Sequence, residues 1–132
     1  AALESMAARL ATERASDDDI AGLRRMFATF EGDRLHAKLD EYSEVNIRFH
    51  QTIIELSGNQ VLIKLAENLF THMRMIRGQT IGEDDRADRS IHDHMNIITA
   101  LEARDTRRAE ELVRQHALGL AAHVAKHADY LD

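Results

Sequence analysis

The sequence predicts an all-α protein, an antiparallel bundle of about six or seven helices around a central cavity for a ligand or a metal ion. Apolar residues recur at helical spacing along most of the 132 residues, and no segment reads convincingly as a β-strand. Serine, aspartate, asparagine and glycine stand where helices would begin and end. Short connections between successive helices favour antiparallel neighbours, and the chain is one domain's worth, residues 1–132.

The first third of the chain predicts two helices and a short third piece. The first helix carries apolar residues at helical spacing: Leu3, Met6, Ala7, Leu10 and Ala11. A capping box of Ser16 and Asp19 starts the second helix. The apolar stripe of that helix comprises Ile20, Leu23, Phe27 and Phe30. Gly32 ends it, and a short piece over Leu35 to Leu39 follows.

Two longer helices are predicted in the middle of the chain. One runs from about Tyr42 to Leu56 and ends at Ser57-Gly58. Asn59 caps the next, which extends to about Arg77. The buried stripe of this helix should consist of leucine, methionine and isoleucine residues: Leu62, Leu65, Leu69, Met73 and Ile76.

The last third predicts a loop and two further helices. The polar segment 78–89 is the best candidate for a long loop. Ser90 and Asp93 form a second capping box, which predicts a helix from there to about Arg104. Asp105 then caps the last helix, which extends to about residue 128.

Composition limits the class of protein. The formal net charge is −6 and acidic residues are spread along the chain, which argues against binding of nucleic acid by this segment alone. The absence of cysteine excludes disulfides and thiolate zinc sites and fits a reducing compartment. No apolar run reaches membrane-spanning length, and the first residues do not resemble a signal peptide. We expect a cytoplasmic protein.

Three histidines carry most of the functional information. His50, His94 and His116 each fall on the apolar stripe of a different predicted helix, so their rings should point into the protein. A buried neutral imidazole needs partners for both of its nitrogens, and a metal ion bound by several rings satisfies one nitrogen on each. The alternative for each ring is a core histidine bonded to a neighbour or a water. A further pair, His123 and His127, has the spacing of a surface metal clamp or of a solvated patch.

Two segments carry a resemblance to a known family. Residues 46–59, which read NIRFHQTIIELSGN, resemble a signature of the FCD domain, the effector-binding domain of a subfamily of GntR-type bacterial transcription regulators. Residues 94–101, followed by Asp105, Ala109 and His116, resemble the second signature of that family. The resemblance covers nearly the whole chain. It implies a dimeric, all-helical sensor that binds a divalent metal and a small organic acid, with a winged-helix DNA-binding domain ahead of residue 1.

The resemblance also implies which residues bind the metal. They are His50, His94, His116 and Asn46, the last at a position where the family most often has aspartate. Zinc is the expected metal, with nickel or manganese as alternatives. An amide is a neutral ligand, so this set would leave the charge of the ion uncompensated and favour an anionic effector.

The resemblance further implies that arginines contact the acid. Arg74 and Arg77 lie three residues apart on one side of their predicted helix, and guanidinium groups bind carboxylates through paired hydrogen bonds. Surface ion pairs are the alternative role for both residues.

Two other functions stay open from the residues alone. A metal held by three histidines could activate water in a hydrolase-like enzyme. The sequence, however, has no H-E-x-x-H motif, phosphate-binding loop or serine elbow, so we expect no enzyme. A plain helical dimerisation module without a ligand is the third reading.

Overall fold

A computed structural model describes the backbone of residues 1–30, 34–80 and 86–126, and the side chains of residues 1–30, 34–72, 86–119 and 121–122. Within these ranges the chain forms seven α-helices, one 3-10 helix and no strand, which confirms the all-α prediction. The α-helices are α1 (Ala2–Arg14), α2 (Asp17–Arg25), α3 (Arg34–Ala37), α4 (Leu39–Leu56), α5 (Gln60–Thr80), α6 (Arg86–Glu102) and α7 (Thr106–Lys126). The 3-10 helix is Ala28–Phe30.

Local signals at the helix ends are confirmed. Ser16 and Asp19 form the predicted reciprocal capping box at the start of α2. The side-chain oxygen of Asn59 accepts hydrogen bonds from two backbone amides at the start of α5, at 3.0 and 3.1 Å. Asp105 accepts one at the start of α7. Gly58 follows α4 with a φ of +67°, the left-handed conformation that glycine adopts without strain.

The predicted start of α6 at Ser90 is wrong. The helix begins at Arg86, so Ser90 lies in its second turn, fully buried. Its hydroxyl accepts a hydrogen bond from Tyr42 and caps nothing. A serine followed by an acidic residue at position i+3 fits a capping box, but the tertiary contact with Tyr42 decides its role here.

The second helix is shorter than predicted. Helix α2 ends at Arg25, and Phe30 belongs to the 3-10 helix that follows. Phe27 and Phe30 are nevertheless buried, as their apolar character predicts. Packing of these rings against Tyr42 places them in the core without a continuous helix.

The predicted buried stripe of α5 is wrong at Leu65, which is 58% exposed. Among the described side chains of this helix, residues 60–72, the buried ones are Ala66 and Phe70, one position further along. One residue corresponds to a rotation of about 100° around a helix, so α5 presents a neighbouring face to the core. The side chains of Met73 and Ile76 lie outside the described residues.

Helix α1 is central to the packing. It lies against α7 and α4, and α6 packs against α7 and α2. The face of α1 that meets these helices carries Ala7, Ala8 and Ala11, whose small side chains allow close approach. Helices α4, α6 and α7 therefore bring their inner faces together beside α1. No helix in the described part of the chain is long and apolar enough to cross a membrane.

Candidate metal centre

The three predicted histidines meet in the interior. His50 on α4, His94 on α6 and His116 on α7 are 2%, 0% and 3% exposed. One nitrogen from each ring can be chosen so that all three atoms lie within 4.8 Å of one another. The ring centroids are 4.8 to 5.3 Å apart, and the rings of His50 and His116 are stacked. Side chains from three separate helices therefore converge on one point.

Each ring contacts a polar group from another helix through its Nδ1 atom. Glu4 on α1 places Oε2 at 3.3 Å from Nδ1 of His50. Asp93 on α6 accepts a hydrogen bond from Nδ1 of His116 at 2.9 Å. Nδ1 of these two rings is thus engaged by a carboxylate, which leaves Nε2 as the nitrogen that could bind an ion.

The third ring is oriented by a hydroxyl. The Tyr42 hydroxyl lies 3.1 Å from Nδ1 of His94 and donates to the Ser90 hydroxyl at 2.8 Å. A phenol has one proton, so with that proton donated to Ser90 the tyrosine oxygen can accept the proton of His94 Nδ1. This arrangement leaves the lone pair of His94 on Nε2, the tautomer that a metal ligand requires.

The carboxylate of Asp93 stays ionised beside His116. The hydrogen bond with His116 lowers the pKa of Asp93, burial opposes this shift, and the charges of His116, Arg86 and His92 lower the pKa further. An ionised acceptor is the stronger partner for a ring N–H, and it fixes the ring orientation.

Asn46 lies one helical turn before His50, on the same face of α4. Its side chain is fully buried, and neither its amide nitrogen nor its amide oxygen has a hydrogen-bond partner within the described residues. Leaving both atoms of a buried amide unsatisfied costs several kcal/mol, about 1 to 3 kcal/mol for each group. A metal ion, a water or an acid bound beside His50 would satisfy the amide.

Aromatic side chains close the site on one side. Phe49 and Phe27 lie against the ring of His94, with centroid distances of 4.7 and 5.2 Å. Both are buried, so water has little access to the imidazoles from this direction. A low local dielectric strengthens the attraction between an ion and the groups that surround it.

The geometry fits a divalent ion. Ligand atoms about 2.0 Å from a tetrahedral zinc lie about 3.3 Å apart, so the rings need only small movements to bind one. The charge of the ion would not be uncompensated, as the sequence had led us to expect, because Glu4 and Asp93 place two carboxylates directly outside the imidazoles. Together with three histidines these carboxylates offset the charge of the ion through the rings. His50, His94 and His116 could therefore hold a metal ion.

The sequence matches the FCD domain over residues 1–119, nine tenths of the chain. The chain belongs to the FCD family. The HTH-type transcriptional repressor GlaR of Escherichia coli is 29% identical over 124 aligned positions, covering 88% of this chain and 56% of that protein. The Uxu operon regulator of Haemophilus influenzae is 27% identical over 135 aligned positions, covering 98% of this chain and 50% of that protein. This FCD domain thus spans about half the length of these curated relatives.

Family membership bears out the resemblance drawn from residues 46–59 and 94–101. It assigns the chain to a domain found in transcription regulators and not to an enzyme, as the sequence predicted.

The arginines predicted to bind an acid fall outside the described side chains of this FCD domain. The backbones of Arg74 and Arg77 belong to α5, and their roles stay predictions. The same holds for the pair of His123 and His127.

The outer partners of the histidines were not predicted. Glu4, Tyr42 and Asp93 belong to the site, yet the sequence analysis gave none of them a role in it. One signal was present for Glu4, which shares a helical face with Ala7, Ala8 and Ala11. A carboxylate on an otherwise small apolar stripe indicates a buried partner.

Proposed function

We propose that this chain is the sensor domain of a bacterial transcription regulator and binds a small organic acid at a divalent metal. The convergence of His50, His94 and His116 in the interior carries the proposal. Zinc is the expected ion, with nickel or manganese as alternatives. Imidazole ligands suit zinc and nickel, whereas manganese prefers oxygen ligands. Bound there, the ion would supply positive charge and open positions for a carboxylate.

The side chains of the site would divide the work. The three imidazoles hold the ion through Nε2, and the Nδ1 partners keep each ring in the required tautomer. Asn46 supplies its amide oxygen to the ion or its amide nitrogen to the acid, which satisfies the buried amide in either case. Arg74 or Arg77 stays the predicted contact for an acid from α5.

The rest of the proposal concerns the whole protein. Both curated relatives are named as regulators, one as an HTH-type transcriptional repressor, and each is about twice as long as the matched region. We infer a full-length cytoplasmic regulator in which a winged-helix DNA-binding domain precedes this one and two copies form a homodimer. The acid would change DNA binding only by its difference in affinity for two arrangements of the dimer. Sedimentation analysis of this chain tests the dimer directly.

Metal analysis of protein purified without a histidine tag tests the centre. We expect about one divalent ion per chain, and loss of that ion in His94→Ala and in the bulkier His94→Gln. His72→Ala is the matched control, because His72 is exposed and its Nδ1 atom lies 2.9 Å from the backbone carbonyl of Asn68 in its own helix. The control should keep the full metal content. Equal metal content in all four proteins would rule out the histidine site.

Acid binding separates the three candidate functions. We would screen sugar acids, hydroxy acids and dicarboxylates by thermal shift. The acid that is sensed should raise the unfolding temperature of the metal-loaded protein, and that of the metal-free protein much less. A protein that retains no metal when purified, and that no acid stabilises even after metal is added, would indicate a plain dimerisation module. Turnover of an acid that binds would indicate the hydrolase-like alternative.

A further inference from the structure

A pocket of about 490 Å³ opens between α6 and α7 and borders the candidate metal centre at His116. His116 forms part of its lining, together with Arg86, Arg89, Asp93 and Gly119. The ring of His116 is 3% exposed, so it lies at the inner end, whereas Arg89 and Gly119 are exposed and lie towards solvent. Pockets of 300 to 1,000 Å³ are the usual size for small ligands, about the size of this one.

A buried guanidinium lines this pocket. Arg86 is 5% exposed and is the one buried arginine among the described side chains. A guanidinium keeps its charge at all physiological pH values, and its five N–H donors allow it to bind more than one anionic group at a time. Arg89, three residues further along α6, adds a second positive charge nearer to solvent.

The carboxylates of the lining are engaged by imidazoles. Asp93 is bonded to Nδ1 of His116, and Asp88 lies 3.1 Å from Nε2 of His36. The charge of Arg86 is among the causes that lower the pKa of Asp93. The guanidinium therefore lies near the carboxylate that orients a ligand of the proposed ion, and so near the path into the centre.

We propose that this pocket is the route by which an organic acid reaches the candidate metal centre, and that Arg86 binds a carboxylate of that acid. The inference rests on the proposed function and adds to it an entrance and a recognition residue on α6. Arg86 attracts the acid into the pocket and orients its carboxylate through charge-assisted hydrogen bonds. His116 lies at the end of the path, where the acid meets the ion.

Gly119 allows a test that leaves the histidines untouched. It lies one turn after His116 on α7, and a Cβ atom added there meets nothing within 4 Å. Leucine at this position fits the helix, since it replaces a poor helix former, and its side chain extends into the pocket. Gly119→Ala is the matched control, because it makes the same backbone change and adds only one carbon atom.

The experiment measures the zinc content of each protein and the affinity of the zinc-loaded protein for citrate, succinate and gluconate by calorimetry. Gly119→Leu should keep its zinc and weaken the binding of each acid that the wild-type protein binds by about tenfold or more. Gly119→Ala should stay within about threefold of the wild type. Arg86→Gln should lose about tenfold and Arg86→Lys less, since a charge-assisted hydrogen bond is among the stronger ones.

The outcomes separate the two proposals. Unchanged acid affinity in Gly119→Leu would overturn the entrance, and unchanged affinity in a folded Arg86→Gln would overturn the recognition residue, while the metal-dependent sensor would stand. Zinc loss in Gly119→Leu would also overturn the entrance, because the pocket would then be part of the centre itself. A wild-type protein that holds no zinc and binds none of the acids would contradict the proposed function. Arg86 is buried and its variants can disturb folding, so the glycine variants decide the entrance independently, and the recognition residue is decided by whichever of Arg86→Gln and Arg86→Lys folds.

Discussion

The hydroxyl of Tyr42 offers the sharpest test of the metal centre. Tyr42→Phe removes one oxygen atom that lies 2.8 Å from the Ser90 hydroxyl and 3.1 Å from Nδ1 of His94. All three side chains are fully buried, so water cannot take the place of the lost oxygen. Each lost hydrogen bond costs about 0.5 to 1.5 kcal/mol, which gives about 1 to 3 kcal/mol for the pair.

The same change should weaken metal binding. Without an acceptor at Nδ1, the ring of His94 loses the contact that keeps its lone pair on Nε2. Loss of such an outer partner lowers metal affinity by about 10- to 100-fold. We would measure the free energy of unfolding in urea with chelator present, and the zinc affinity by competition with a metal indicator.

Thr12→Val is the matched control for Tyr42→Phe. The Thr12 hydroxyl is also buried and donates to the carbonyl of Ala8 at 2.6 Å, but it belongs to α1 and forms no hydrogen bond with a histidine whose side chain the structure describes. The control should lose stability and keep its zinc affinity. If Tyr42→Phe also loses stability but binds zinc within about threefold of the wild type, the hydroxyl has a purely structural role and the tautomer argument is refuted.

Three further changes test other parts of the structure. Asn46→Asp should raise the affinity for zinc by about tenfold or more, because a negative charge a few ångströms from the ion is worth several kcal/mol at an effective dielectric constant of about 20. A lower zinc affinity in a competition assay would disprove the Asn46 assignment. Asp93→Asn should weaken zinc by about tenfold at pH 7. Since its hydrogen bond with His116 lowers the pKa of Asp93, the carboxylate stays ionised over the whole pH range in which neutral imidazoles can hold zinc, so the difference from Asp93→Asn should persist until protonation of the histidines releases the ion, as a pH series of zinc content in both proteins would reveal. Gly58→Ala, at a φ of +67°, should cost about 1 to 2 kcal/mol in urea unfolding and leave zinc affinity unchanged.

The parts of the fold that follow from local chemistry were predicted from the sequence. Ser16, Asn59 and Asp105 cap helices because their side chains reach amides two or three residues away, and such contacts depend only on spacing. The inward direction of the three histidines follows in the same way from helical periodicity.

The parts that depend on distant contacts were not predicted. Helical periodicity predicts that a ring points inwards, but it does not predict which side chains the ring contacts there. Tyr42 and His94 are 52 residues apart in sequence, and Asp93 and His116 are 23 apart. The predicted burial of Leu65 is wrong for a related reason, since the face that α5 buries depends on how α4 and α1 pack against it.

The outer partners of the histidines connect the helices in a definite order. Glu4 joins α1 to His50 on α4, Tyr42 on α4 contacts His94 on α6, and Asp93 on α6 binds His116 on α7. Helix α7 in turn packs against α1. Each of these three contacts to a ring is therefore also a contact between two helices.

This connectivity gives the proposed sensor a physical route for its signal. A ligand that tilts one imidazole alters the contact at the Nδ1 atom of that ring. Each of these contacts joins two different helices. The resulting strain is relieved by a shift of one helix against the next, because a close-packed interior does not absorb it locally. Through Glu4 the shift reaches α1, the helix that a DNA-binding domain placed as in the family would adjoin. The strength of the signal is then set by how differently the acid binds the two helix arrangements.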